Sequence, residues 1–138
     1  MELFHGTDEP TAAALKMGTI DVTCGGGELG RGFYCGDILW RAKTWAMNGR
    51  RSIKNVLRVE VNDDDFLALD PHVLVKSEAI NIRSDIRSTG QTRTFLFNRN
   101  AVWSPVVGIP TSDFNQVKWE SQKAQAYLNG STVRRSVV

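Results

Sequence analysis

The chain reads as a mixed α+β domain in which strands outnumber helices. Three observations lead there: the period-2 alternation of Asn55 to Val61, two runs of helical composition at Pro10 to Met17 and Ser121 to Leu128, and several short apolar runs bounded by turn residues. In the first of these, Asn55, Leu57, Val59 and Val61 alternate with Val56, Arg58 and Glu60, the pattern of a half-buried strand. Asn62-Asp63-Asp64-Asp65 marks its end.

The other elements follow in chain order. Glu2 to His5 predicts a short first strand ending at Gly6-Thr7, and Pro10 to Met17 a helix that stops at Gly18. Thr19 to Thr23 predicts a second short strand. Cys24 to Gly32 holds five glycines and predicts a loop, expected to be mobile over 25 to 31 because glycine supplies backbone freedom and no packing. Phe33-Tyr34-Cys35 then reads as extended, with Asp37 as N-cap of a helix running to Met47. Further strands are expected at Phe66 to Leu69, Thr94 to Phe97, Val102 to Gly108 and Asn115 to Trp119, and the alanine and glutamine content of Ser121 to Leu128 predicts a helix.

Size and composition bound the function. A chain of 138 residues with 41% hydrophobic and 23% charged residues fits one domain, 1–138, of ordinary soluble composition. No stretch approaches the roughly 20 apolar residues that span a bilayer. The opening residues lack the basic start and apolar run of a signal peptide, so a cytoplasmic location is expected. Cys24 and Cys35 form no CxxC and no cluster with histidine, which argues against a structural zinc and a disulfide framework. Both are expected as buried or half-buried thiols. Charge is uneven: residues 1–82 hold 9 basic and 12 acidic groups, residues 83–138 hold 8 and 3. Arg83, Arg87, Arg93 and Arg99 recur through the second part, as a solvated face or as a contact for an anionic partner.

Gly25, Gly27 and Gly30 satisfy GxGxxG, the dinucleotide fingerprint, but no helix opens at the loop and the region near residue 50 is Gly49-Arg50-Arg51 rather than acidic. A glycine-rich approach to an aromatic strand instead lets backbone pass close to a flat ligand, with the ring as a stacking face.

Three segments, taken together and in order, resemble the ADP-ribosyltransferase superfamily, the His-Tyr-Glu branch that includes diphtheria toxin and the poly(ADP-ribose) polymerases. Phe4-His5-Gly6-Thr7 looks like that fold's first strand, and Gly30-Arg31-Gly32-Phe33-Tyr34 with Asp37 is similar to its second motif. Trp45, eleven residues after Tyr34, falls where the family often places a second ring. Phe114-Asn115-Gln116-Val117-Lys118-Trp119 resembles the strand carrying the catalytic glutamate, with Gln116 at its position. A small bacterial and phage family of transferase-like domains also looks similar, with "NQ" before an aromatic strand and a segment like Gln122 to Leu128. The resemblance implies a split mixed β-sheet with a few short helices, NAD as substrate, no metal, and transfer of ADP-ribose to a protein or nucleic acid. With that activity, the small size and the basic C-terminal half suggest a toxin or phage effector, for which an antitoxin or inhibitor protein is a further expected partner.

The roles can be argued from the residues. Tyr34 and Trp45 would hold the cationic nicotinamide ring by stacking and cation–π attraction, roughly 0.5 to 2 kcal/mol each. His5 would face a ribose hydroxyl and the Gly6 backbone the carboxamide, with Thr7, Gly32 and Phe33 completing the pocket. Cleavage of the glycosidic bond builds positive charge on the ribose, which a carboxylate stabilises better than Gln116 does. Two glutamates offer a substitute. Glu120 shares the strand face of Gln116 about 13 Å away, and Glu28 in the glycine loop would reach the site as ligand orders that loop. Alternating positions put Gln116, Lys118 and Glu120 on one face, Val117 and Trp119 on the other. The alternatives are an NAD- or ADP-ribose-binding module without catalysis, and a basic interaction protein whose aromatic pocket takes a nucleobase or a partner's side chain.

Overall fold

The computed structural model describes residues 1–48, 55–109 and 113–138, and these build one mixed sheet with helices on both faces. The strands are β1 (Glu2–Gly6), β2 (Phe33–Gly36), β3 (Val56–Glu60), β4 (His72–Val73), β5 (Ala101–Pro105), β6 (Asn115–Trp119) and β7 (Arg134–Val137). The helices are α1 (Glu9–Lys16), α2 (Leu39–Met47), α3 (Asp63–Ala68), α4 (Lys76–Ser88) and α5 (Gln122–Asn129). Strand order is β4-β5-β6-β2-β1-β3-β7, antiparallel throughout except for β4 beside β5.

Local chemistry explains most helix starts. Asp8 accepts from the Thr11 amide at 2.9 Å, with Pro10 in the first turn of α1, and Gly18 closes that helix at φ +89°. Ser121 caps α5 through the Ala124 amide at 3.0 Å. Asn62 accepts from the amides of Asp64 and Asp65, and three aspartates in the first turn suit the positive helix end. The acidic run therefore begins a helix, and Phe66 to Leu69, expected as a strand, belongs to α3 and its cap.

Other expectations are corrected for tertiary reasons. Thr19 to Thr23 forms no strand: the amides of Ile20 and Val22 are taken by the side chains of Asn129 and Gln125, both at 2.9 Å. Thr94 to Phe97 is turn and irregular chain, its Phe97 amide donating to Glu120. Asp37 does not cap α2, which starts at Ile38 without a side-chain cap; its carboxylate instead accepts from the Asn115 backbone and side-chain nitrogens at 2.9 and 3.0 Å. The strand expected to Gly108 ends at Pro105.

Three elements had no counterpart in the sequence reading. Two are strands, β4 and β7, the latter an edge strand of polar composition that is defined by pairing with β3. The third is α4, which the spacing of Ala79, Ile82 and Ile86 would have revealed, but its N-cap is Val75, so no start signal drew attention to it.

The sheet's two faces differ. Leu3, Phe33, Cys35, Leu57, Val59, Val117 and Trp119 point to one, where α3 and α5 add Phe66, Ala124 and Leu128 in a continuous core. Phe66 meets Trp119 edge-on at 5.5 Å between ring centres. The other face is divided: α2 covers Phe4 and Val56 with Ala42, while α4 and the glycine loop cover Val102 with Ala79, Leu74 and Leu29. Cys35 is fully buried, and burial pushes its thiol up to about 12. Cys24 is exposed, against expectation, its thiol held at the surface by donation to the Asp21 carboxylate at 3.1 Å. No helix among the described residues is long and apolar enough to cross a membrane.

Candidate active site

The sheet places the three segments of interest on adjoining strands. Antiparallel pairing sets Tyr34 opposite Lys118 and Gly36 opposite Gln116, so Tyr34 and Gln116 project from the same face two rows apart. On the other side of β2, β1 shares one paired position, Phe4 with Gly36. Beyond it the join is made by a side chain: His5 Nδ1–H donates to the Tyr34 carbonyl at 2.7 Å. That bond sets the ring tautomer, and the imidazole lies 4.5 Å from the Phe33 ring, on the face opposite Tyr34. Gly6 packs against the Ala42 carbonyl of α2, too close for any Cβ. Thr7 is buried, its amide reaching the Asn55 carbonyl at 3.3 Å.

The glycine loop is tied down rather than loose. Gly30 has φ +91° and sits against the Phe95 carbonyl, while the amides of Gly27 and Arg31 reach the carbonyls of Thr92 and Phe95 at 3.0 Å. The expected mobility of 25 to 31 is thus opposed by pairing with the 92–95 turn and by the wholly buried Leu29. Gly27 lies on the Tyr34 ring, where a Cβ would stand 2.9 Å from Cζ. The Tyr34 hydroxyl donates to the Gly30 carbonyl and accepts from the Leu29 amide at 3.2 Å. Burial of that phenol pushes its pKa well above the ordinary value. Gly32 lies against the Trp119 carbonyl and the Lys118 stem.

Within this frame Glu28 turns back onto β6. Its Oε1 accepts from Gln116 Nε2 at 2.6 Å and from the Val107 amide at 2.9 Å. Its Oε2 accepts from the Gly108 amide at 2.8 Å and stands 3.4 Å from Arg83 Nε. A carboxylate 14% exposed therefore stands beside Gln116 on the Tyr34 face. No protein-family model matches the chain, and no curated protein is similar to it.

The second glutamate has a different setting. Glu120 accepts from Lys118 Nζ at 2.9 Å and from the amides of Phe97 and Asn98 at 3.0 and 2.7 Å. Lys118 also donates to the Leu29 carbonyl at 2.8 Å and lies 4.9 Å over the Phe97 ring. Neither side chain is more than 3% exposed. Burial lowers the Lys118 pKa, and Glu120 opposes that shift. The pair pins the 95–98 turn to β6.

Trp45 stands on the outer side of α2, 73% exposed, and makes no ring contact with Tyr34. Three of the four recurring arginines have separate partners: Arg83 faces Glu28, Arg99 pairs with Asp70 at 3.2 Å, and Arg93 donates to the Cys24 carbonyl at 2.7 Å. Arg83 is the site residue that sequence reasoning passed over as part of a basic face. Its meeting with Glu28, across more than fifty residues, has no local signature.

Proposed function

We propose that the chain is an NAD-dependent ADP-ribosyltransferase in which Glu28 supplies the carboxylate that Gln116 lacks. The observation that carries this reading is the 2.6 Å contact between Glu28 and Gln116, on the face that carries Tyr34. A carboxylate there would stabilise charge developing on a ribose, while the Gln116 amide orients a hydroxyl. Within the single sheet, β1 joins β2 through one paired position and the His5–Tyr34 bond, and this thin join supports the split sheet that the resemblance implies. Stacking on Tyr34 requires the loop segment around Gly27 to lift from the ring. Gly6 and Thr7 would then meet the nicotinamide end beside Gly32, with Trp45 recruited only by a rearrangement; Phe33, expected in the pocket, sends its ring into the core on the other face. The acceptor would be a protein or nucleic acid, and a toxin or phage-effector role with an antitoxin or inhibitor belongs to the same proposal.

The test is incubation of the chain with labelled NAD and a cell extract, reading free nicotinamide and label on macromolecules. Release by the wild type and loss in Glu28→Gln supports the assignment; full activity in Glu28→Gln refutes it. One observation favours a second reading, an NAD- or ADP-ribose-binding module without turnover: Glu28 already accepts three hydrogen bonds and faces Arg83, and Gly27 covers the Tyr34 ring. A rise in melting temperature with NAD, without nicotinamide release, would select that reading.

A further inference from the structure

At the far end of the polar face of β6 from Gln116, a cavity of about 370 Å³ opens between the 96–100 turn, Leu69–Asp70 and the start of α5. Two arginines line it, Arg31 and Arg99. Arg99 is engaged, donating to the Asp70 carbonyl at 3.0 Å and to its carboxylate at 3.2 Å. Arg31 is not. Its Nε is buried without a hydrogen-bond partner, and its guanidinium forms no ion pair among the described residues.

The charges at the cavity settle what is left over. Glu120 is paired with Lys118 and Asp70 with Arg99, so Arg31 is the charged residue of the lining that has no ion-pair partner among the described residues, the Asp21 carboxylate acting on it only at longer range. The buried Nε without an acceptor carries a cost, while Arg31 as a whole is only half-buried, which leaves the terminal nitrogens of its fork open to an anion from solvent. The wall is also built in advance. Glu120 takes the amides of Phe97 and Asn98, holding Asn98 at φ +57°, and Asn100 is fastened to the Leu69 carbonyl and to Ser121 Oγ. A cavity near the lower end of the usual ligand-site range of about 300 to 1,000 Å³ exceeds what a bare ion needs. The guanidinium fork matches phosphate oxygens in pairs.

We propose that this cavity binds a phosphate monoester carrying a sugar- or nucleoside-sized group, with Arg31 taking the phosphate. The proposal is independent of the NAD reading. It is tested by titrating the chain with AMP, with inorganic phosphate and with adenosine, followed by calorimetry and by amide shifts. AMP should bind saturably, inorganic phosphate more weakly and adenosine not at all, with the largest shifts at residues 98–100 and 121–122. Arg31→Gln should weaken AMP binding at least about tenfold, the scale of one lost charge-assisted pair, and Arg31→Lys should fall between. If Arg31→Gln fails to fold, the shift map of the wild type and the Arg31→Lys affinity still decide. No binding at about 10 mM, where even millimolar affinity would show, overturns the proposal. So does adenosine binding as well as AMP, or AMP binding that Arg31→Gln and Arg31→Lys leave intact and Glu28→Gln abolishes.

Discussion

At one end of the polar face of β6, Gln116 meets Glu28, a carboxylate 14% exposed and shared among a side-chain amide, two backbone amides and Arg83. At the other end, Glu120 is 3% exposed and enclosed by Lys118 and the 97–98 amides. Both carboxylates are fully furnished with donors, so hydrogen bonding alone does not separate them. What separates them is the identity of the partner. A buried ammonium ties Glu120 to the fold, because removing either member strands the other charge out of water. Glu28 leans on neutral donors and a partly exposed arginine, so its loss leaves no isolated buried charge. Glu120 is thereby bound to the fold, and Glu28 is the glutamate that the proposed chemistry would use.

The largest expected effect lies at the structural end. Glu120→Gln should cost about 3 to 5 kcal/mol, the scale for breaking a buried pair, and lower the melting midpoint by on the order of 10 to 20 °C. Lys118→Met should do the same. Differential scanning calorimetry on both would break the comparison if Glu120→Gln melted like the wild type while losing turnover, because Glu120 would then be the working carboxylate.

Next comes Glu28→Gln. Nicotinamide release from NAD should drop by about 10²- to 10⁴-fold, while stability falls only by about 1 to 2 kcal/mol, since most donors to the side chain survive the amide. Comparable losses of stability in Glu28→Gln and Glu120→Gln would erase the distinction.

Gln116→Glu sharpens the contrast further. It places a negative charge at the position of Gln116, but with Glu28 at 2.6 Å it sets two carboxylates face to face. Folding should weaken by roughly 1 to 3 kcal/mol at neutral pH and recover on acidification, because the shared site raises one carboxyl pKa and that group then takes up a proton more readily folded than unfolded. Denaturant melts at pH 5 and 7.5 check the sign; a variant more stable at the higher pH would mean the two side chains part.

The smallest effect concerns the ring between the two ends. Tyr34→Phe removes the bonds to Gly30 and Leu29 and should cost about 1 to 2 kcal/mol with the loop kept in place by its backbone pairing. In the wild type the phenol ionises above its ordinary value because it is buried. The unfolded chain gives up that proton first, so the stabilisation is complete below about pH 10 and is lost above it. Absorbance titration should show both tyrosines ionising above the ordinary value, Tyr127 being raised by burial as well, and the later of the two steps should vanish in Tyr34→Phe. Loss of an ordinary step instead would place the ring in solvent, ready to stack without movement of the loop.

Local signals in the chain determined a good deal. The alternation of Asn55 to Val61, the helical composition of Pro10 to Met17 and of Ser121 to Leu128 and the glycine run each announce themselves within a few residues, because periodicity and composition are local. So does the division of β6 into a polar and an apolar face. Tertiary structure decided the rest. Asn62 reads equally as a strand end or a helix cap until its side chain takes the Asp64 and Asp65 amides, and β7 is a strand only because β3 offers it an edge. The meeting of Glu28 with Gln116 and the burial of Lys118 beside Glu120 were named in the sequence only as positions on a loop and a face. Which glutamate faces an ammonium and which an amide depends on groups brought together from distant parts of the chain, and no local pattern encodes that.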